Sequence, residues 1–177
     1  MRVQQLSVYE ASSRTAEPSR VLPISIRTAA GRGRTMLSAF DDALLGAGVA
    51  NYNLIRLSSV IPQPSVISFD SQPVRGNHGD RLYCVYAAGY AERPGDTAWA
   101  GIGWVRDASG AGLFVEHDAD SEEALVELIE LSLEDMNRRR GGGYGEIETV
   151  TVSAHNEGQP ACALAVAAYE VSGWRLS

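Results

Sequence analysis

The fold is decided by the segment NLIRLSSVIP, residues 53–62. Its apolar and β-branched side chains predict a strand, which Ser58 and Ser59 interrupt and Pro62 ends. A serine hydroxyl in a strained strand can attack the carbonyl carbon of the preceding residue and convert the amide into an ester. The segment is therefore a candidate for self-cleavage between Ser58 and Ser59, although Ser-Ser is a common dipeptide that needs support from its surroundings.

The chain has no lysine, since all 15 of its basic residues are arginine. A pyridoxal-phosphate enzyme needs a lysine amine to hold its cofactor, and a P-loop needs a lysine at the phosphate. Both classes are excluded in their usual form. After self-cleavage, elimination and hydrolysis would convert Ser59 into a pyruvoyl group, a covalent electron sink that replaces pyridoxal phosphate. A lysine-free chain of this kind could therefore still decarboxylate amino acids.

Composition and charge predict a globular protein of the cytoplasm. The length of 177 residues and the apolar fraction of 45% suit one compact domain. No apolar run is long enough to span a bilayer, and residues 1–5 lack the apolar core of a secretory signal. The net charge of −7 argues against a nucleic-acid partner. Cys84 and Cys162 lack the spacing of a metal site, which predicts two buried reduced thiols.

Two helices are predicted, each with a capping residue at its start. Thr35 precedes a helix whose core face we expect to contain Met36, Leu37, Phe40, Leu44 and Leu45. Asp120, with Glu123 three residues later, resembles a capping box at the start of a longer helix. Its expected core face contains Leu125, Leu128, Ile129, Ser132 and Met136.

The remaining apolar runs predict strands. Residues 82–90 and 98–105 flank the turn sequence RPGD, which predicts two adjacent paired strands. The order is strand, helix, several strands, helix and two strands, without regular βα alternation. Two sheets, each covered by one helix on its outer side, fit this order best. Residues 1–20 are predicted to form a flexible arm, and residues 21–177 a single domain.

Two neighbouring segments carry a close resemblance to a known family. AFDDALLGAG at residues 39–48 and NYNLIRLSSVIP at residues 51–62, in this order and spacing, resemble the pyruvoyl-dependent arginine decarboxylases. Weaker similarity extends the resemblance from about residue 21 to about residue 170. The family fold that it implies is of the α/β (α+β) class, a four-layer αββα sandwich of the pyruvoyl-dependent histidine/arginine decarboxylase type.

The resemblance also implies roles at the cleavage strand. Ser58 would end a small chain, residues 1–58, and Ser59 would become the pyruvoyl group that opens a large chain, residues 59–177. Asn53 matches the asparagine that supports the cleavage geometry and lines the site. An amide that donates to the Ser58 carbonyl would stabilise the oxyanion of the acyl shift. The alternative for Asn53 is hydrogen bonding at a strand edge.

Two carboxylates match functional positions of the family. Asp41 matches the aspartate that binds the substrate guanidinium, which a carboxylate can accept through two parallel hydrogen bonds. The alternative is a solvated charge pair with Asp42. Glu116 matches the catalytic glutamate, and the apolar residues 113–115 before it could keep it protonated, so that it protonates the α-carbon after CO₂ leaves. The alternative is an exposed acid at a strand end.

The activity implied by the resemblance is decarboxylation of L-arginine to agmatine and CO₂. The covalent pyruvoyl group would serve as the cofactor, without pyridoxal phosphate or metal. The implied assembly is a homotrimer of cleaved protomers whose active sites are shared between neighbours. Two alternatives stay open: a decarboxylase of the same design acting on another amino acid, or a non-catalytic, uncleaved trimeric scaffold.

Overall fold

A computed structural model of the chain describes residues 21–70 and 72–174. The predicted flexible arm, residues 1–20, lies outside them. The described residues form, in chain order, β1 (Leu22–Arg32), α1 (Met36–Gly46), β2 (Asn53–Arg56), β3 (Val60–Ile61), β4 (Ser65–Phe69), β5 (Arg81–Ala91), β6 (Thr97–Arg106), β7 (Gly112–Ala119), α2 (Glu122–Arg139), β8 (Glu148–His155) and β9 (Ala161–Ser172).

The strands form two sheets that pack face to face. The five-stranded sheet has the order β2-β5-β9-β1-β4, and the four-stranded sheet has the order β3-β7-β6-β8. Helix α1 covers the outer face of the first sheet, and α2 covers the outer face of the second. The core between the sheets is built around the buried side chains of Ile24, Ile26, Ile102, Trp104 and Phe114. The predicted four-layer αββα sandwich is confirmed.

The helix starts follow local sequence. Thr35 caps α1 as predicted, and its hydroxyl oxygen accepts a hydrogen bond from the Ser38 amide at 3.1 Å. Helix α2 is capped one residue later than predicted. Its N-cap is Ser121 rather than Asp120, and the Ser121 hydroxyl accepts from the Ala124 amide at 3.2 Å. Both caps satisfy amides that would otherwise be unpaired at a helix start.

The predicted core faces of the helices are partly wrong. The buried residues of α1 are Ala39, Ala43 and Leu44, and those of α2 are Leu125, Ile129 and Leu133. Leu37 and Leu45 are instead 77% and 58% exposed. A side chain at Gly31 in β1 would collide with the backbone of α1, so the helix lies against the sheet at a distance that only small side chains permit. Close approach therefore selects alanine for the buried face of α1.

The predicted pairing of residues 82–90 with residues 98–105 is also wrong. Strand β5 pairs with β2 and β9, whereas β6 pairs with β7 and β8. The RPGD turn carries the chain from one sheet to the other, so these strands face each other across the core. A Cβ at Gly89 would meet the carbonyl oxygen of Trp99, which shows how closely the sheets approach there.

Cys84 and Cys162 are buried free thiols, as predicted. They lie on β5 and β9, in the core between α1 and the five-stranded sheet. Within residues 21–70 and 72–174, no helix is both long enough and apolar enough to cross a bilayer.

Candidate active site

The chain crosses from one sheet to the other between β2 and β3. Strand β2 pairs in parallel with β5, and β3 pairs antiparallel with β7. The Leu57 amide donates to the Cys84 carbonyl at 2.9 Å, and the Phe114 amide donates to the Ser59 carbonyl at 2.8 Å. The peptide bond between Ser58 and Ser59 is therefore flanked by one hydrogen bond to each sheet.

Ser59 has a strained backbone. Its φ is 66°, and among the described residues it is the only non-glycine residue with a positive φ. The left-handed conformation costs an L-residue roughly 1–2 kcal/mol, and it persists only where the surroundings hold it. The two flanking hydrogen bonds are such a restraint. A serine strained in this way has the backbone that the self-cleavage hypothesis requires.

Glu116 lies on β7 beside Ser59. The Ser59 hydroxyl donates to Glu116 Oε2 at 2.9 Å. The Glu116 side chain is only 9% exposed, so the expectation of a buried acid describes it better than the alternative of an exposed one. Its second oxygen, Oε1, is buried and has no hydrogen-bond partner among the described residues. The structure thus brings together two of the predicted site residues and leaves one carboxyl oxygen unused.

Burial raises the pKa of the Glu116 carboxyl above its ordinary value. Two contacts act in the opposite direction: the hydrogen bond from Ser59, and the Arg56 guanidinium 3.8 Å from Oε2. Arg56 is 57% exposed, and its Nη2 also donates to the Tyr86 carbonyl at 3.2 Å, so solvent weakens its effect. Burial is the larger influence, and it favours the neutral acid.

Asn53 lies at the start of β2, whereas Ser58 follows the end of that strand. The Asn53 side-chain amide donates to the Gly79 carbonyl at 2.7 Å, and its backbone amide donates to the Asp80 carbonyl at 2.8 Å. These are hydrogen bonds of the strand-edge kind. No described hydrogen bond joins Asn53 to Ser58, so its role in cleavage stays a prediction.

Asp41 is exposed on α1, in the outer layer of the sandwich. The ring of the preceding residue, Phe40, lies 6.0 Å from the ring of Tyr86. The Arg56 guanidinium lies over the same Tyr86 ring at 5.0 Å. A chain of contacts thus runs from the helix that carries Asp41 to Arg56 and Glu116. Among the described contacts, none joins Asp41 directly to the reacting groups, and its role in substrate binding stays a prediction.

Sequence analysis did not identify Arg56 or Tyr169 as residues of this site. Arg56 is the last residue of β2 and lies within residues 53–62, where a charged side chain in an apolar run is a local signal of a functional role. The Tyr169 hydroxyl donates to the Val60 carbonyl at 3.1 Å. No local pattern marks Tyr169, because this contact depends on how the two sheets pack.

The arrangement supports two kinds of chemistry. A hydroxyl beside the peptide carbonyl of its own chain can act as an internal nucleophile, and a buried carboxyl can donate or accept a proton. In the part of the chain that the structure describes, no three His, Cys, Asp or Glu side chains are grouped so that they could hold a metal ion.

The chain is similar to proteins with one shared description. Residues 23–172 match the family model described as pyruvoyl-dependent arginine decarboxylase (PvlArgDC). A pyruvoyl-dependent arginine decarboxylase of Halobacterium salinarum is 35% identical over 150 residues, covering 82% of this chain and 92% of the relative. Those of Pyrococcus furiosus and Methanocaldococcus jannaschii are 34% and 32% identical over 139 and 157 residues. They cover 77% and 83% of this chain, and 87% and 90% of the relatives.

Proposed function

The chain belongs to the pyruvoyl-dependent arginine decarboxylase family, and we propose that it converts L-arginine into agmatine and CO₂. The reaction depends on a pyruvoyl group made from Ser59, after the chain cuts itself between Ser58 and Ser59. The observation that carries the proposal is the contact between the strained Ser59 and the buried Glu116, whose Oγ and Oε2 are 2.9 Å apart.

Maturation begins at the Ser59 hydroxyl. Its Oγ attacks the Ser58 carbonyl carbon, the peptide C–N bond breaks, and the hydroxyl proton passes to the Ser59 nitrogen. Removal of the Ser59 α-proton then expels the Ser58 carboxylate and leaves dehydroalanine. Addition of water releases ammonia and leaves the pyruvoyl group at the start of the large chain. Glu116 orients the attacking hydroxyl by accepting its hydrogen bond.

The residues around Ser59 fit a pyruvoyl group at this position. When present, such a group supplies an electron sink for the electrons left on the substrate by departing CO₂. The hydrogen bond from Phe114 to the Ser59 carbonyl lies on the large-chain side of the cut, so cleavage leaves both of its partners on the same chain. Glu116 Oε1 is buried beside this position with no described partner, and a reacting group placed there would give it one.

Glu116 supplies the proton that replaces CO₂ on the α-carbon. A general acid must still hold its proton at the working pH, and burial raises the pKa of the Glu116 carboxyl in the required direction. The exposed Arg56 guanidinium opposes this only weakly. Loss of the Ser59 hydroxyl during maturation removes the other opposing contact, so the mature site favours the neutral acid more than the precursor does.

The substrate guanidinium binds at Asp41. Its carboxylate is exposed and can form two parallel hydrogen bonds to the guanidinium. The neighbouring side chains Leu37 and Leu45 are exposed and apolar, which is typical of a surface covered by another protomer. We therefore propose a homotrimer of cleaved protomers, in which Asp41 and Asn53 serve sites shared between neighbours.

The test is CO₂ release from a panel of L-amino acids by purified protein without added pyridoxal phosphate. The panel contains arginine, lysine, ornithine, histidine and tyrosine, each labelled at the carboxyl carbon. We expect release from arginine at the highest kcat/KM, together with agmatine as product. Higher kcat/KM for another member would reassign the substrate, and no release from any member by cleaved protein would refute the proposal.

A further inference from the structure

Strand β9 contains a β-bulge at Tyr169. In its antiparallel pairing with β5, Tyr83 is the partner of Glu170, whereas the next residue, Cys84, is the partner of Ala168. Tyr169 is therefore an extra residue without a partner on β5. A bulge of this kind locally bends a strand and redirects a side chain, and bulges are over-represented beside active sites.

The Tyr169 side chain spans the space between the sheets. It belongs to the five-stranded sheet, but its hydroxyl donates to the carbonyl of Val60 in the four-stranded sheet at 3.1 Å. Its ring meets the ring of Phe114 edge-on, with centroids 6.0 Å apart and an interplanar angle of 71°. Tyr169 is only 8% exposed. The hydroxyl is thus held by packing at the residue that follows Ser59.

The Val60 carbonyl lies on the open edge of its sheet. Because the Ser59 carbonyl accepts from β7, the carbonyl of the next residue points away from β7. Strand β3 is at the edge of the four-stranded sheet, and no other strand within residues 21–70 and 72–174 pairs with it there. Tyr169 supplies the donor that a neighbouring strand would otherwise supply.

The bulge region contacts the chain on both sides of the proposed cut. Cys84, opposite the bulge, accepts from the Leu57 amide at 2.9 Å. Tyr169, in the bulge, donates to the Val60 carbonyl. The Ser58–Ser59 peptide bond lies between these two hydrogen bonds, and within this interval Ser59 has its φ of 66°. Fixing both ends of a short segment is a direct way to maintain a strained conformation.

We propose that the Tyr169 hydroxyl is a positioning group for self-cleavage, which holds Ser59 in the conformation that directs its Oγ at the Ser58 carbonyl. This inference rests on the proposed function, because it assumes that cleavage occurs at this bond. The contact joins two residues of the large chain, so cleavage does not separate them. Tyr169 therefore also holds the first residues of the large chain in the mature site.

The experiment compares the rate of self-cleavage in four proteins: the unchanged chain, Tyr169→Phe, Tyr83→Phe and Ser59→Ala. Tyr83 is the matched control, because its ring packs against the same core between the sheets. Precursor is labelled in a short pulse of cell-free synthesis, and fragments 1–58 and 59–177 are followed during the chase. We expect Tyr169→Phe to cleave roughly 3- to 10-fold more slowly, which corresponds to the loss of one hydrogen bond. Tyr83→Phe should cleave at the unchanged rate.

A second measurement separates positioning from general stability. Fully cleaved Tyr169→Phe should show a lower kcat with an unchanged KM for arginine, because loss of the Tyr169 hydroxyl affects the reacting end of the site and not the guanidinium contact. The thermal midpoint of Tyr169→Phe is measured in the uncleavable Ser59→Ala background.

The outcomes separate this inference from the proposed function. Equal cleavage rates for Tyr169→Phe and the unchanged chain would overturn the role of Tyr169 while leaving the proposed function standing. The role of Tyr169 would also be overturned if Tyr83→Phe slowed cleavage as much as Tyr169→Phe does. The same holds if Tyr169→Phe lowered the thermal midpoint and the cleavage rate together but left kcat unchanged. If the unchanged chain itself stays whole, both the proposed function and this inference are wrong.

Discussion

Glutamine at position 116 separates proton donation from hydrogen bonding. Glu116→Gln keeps the size of the side chain and an oxygen that can accept from Ser59, but it removes the acidic proton. We expect the variant still to cleave, because the strain at Ser59 and the flanking hydrogen bonds at Leu57 and Phe114 remain. Turnover of the cleaved variant should fall.

The size of the fall distinguishes the two roles. Loss of a single hydrogen bond contributes about 0.5–1.5 kcal/mol, which lowers a rate by roughly tenfold at most. Loss of a positioned general acid lowers it by roughly 10²–10⁴-fold, or about 3–5 kcal/mol of activation free energy. The Glu116 side chain is only 9% exposed, so water has little access to replace the lost proton donor. We therefore expect the larger effect.

The assay measures CO₂ release from carboxyl-labelled arginine by protein whose complete cleavage has been checked by mass spectrometry. Glu148→Gln is the matched control, because Glu148 also accepts a hydrogen bond, from Trp104 at 2.9 Å, and lies 3.7 Å from the Arg106 guanidinium. It should retain full turnover. A Glu116→Gln protein with a kcat within tenfold of the unchanged enzyme would refute the assignment of Glu116 as the proton donor.

Three further predictions concern strain, substrate binding and pH. Ser59→Gly should be more stable than Ser59→Ala by roughly 0.5–1 kcal/mol in denaturant unfolding, because relief of the left-handed conformation exceeds the backbone entropy lost by glycine; equal stability would argue against strain. Asp41→Asn should leave cleavage intact and raise KM for arginine by about 10- to 100-fold. Asp42→Asn should leave KM unchanged, since the Asp42 carboxylate already accepts a hydrogen bond from the Arg32 backbone amide at 2.8 Å. An unchanged KM in Asp41→Asn would mean that the substrate guanidinium binds elsewhere. The pKa of the buried Glu116 carboxyl is raised in the folded protein, so this group stabilises the fold fully below the ordinary carboxyl pKa and loses that contribution as the pH rises through the raised value. Between these two values, the free energy of unfolding of Ser59→Ala should therefore fall relative to that of Ser59→Ala/Glu116→Gln. A difference that does not change with pH would contradict the raised pKa.

The interrupted strand of residues 53–62 was predictable because its signals are local. The serines interrupt an apolar run and the prolines end it. The structure has one short strand on each side of the interruption, β2 before it and β3 after it. Family resemblance assigned a role to Ser59 and another to Glu116, but their contact was not predicted, since they are 57 positions apart in the sequence. Sequence patterns alone contain no measure of such a distant contact.

Other features depend on how the layers pack. The exposed Leu37 and Leu45 and the buried alanines of α1 follow from the close approach at Gly31, which no periodicity of the helix reveals. The turn between β5 and β6 looks like a hairpin turn, but the sandwich uses it to change sheets. The bulge at Tyr169 is a matter of register between β5 and β9, which the apolar run of β9 leaves undetermined.

The mass of the purified protein is a direct test of self-cleavage between Ser58 and Ser59. Mass spectrometry of the denatured protein should give two chains, residues 1–58 and 59–177. The large chain should carry a pyruvoyl group in place of Ser59 and should resist Edman sequencing, because a ketone replaces its amine. Ser59→Ala should give a single chain under the same conditions. A single chain of 177 residues in a preparation that decarboxylates arginine would contradict the account.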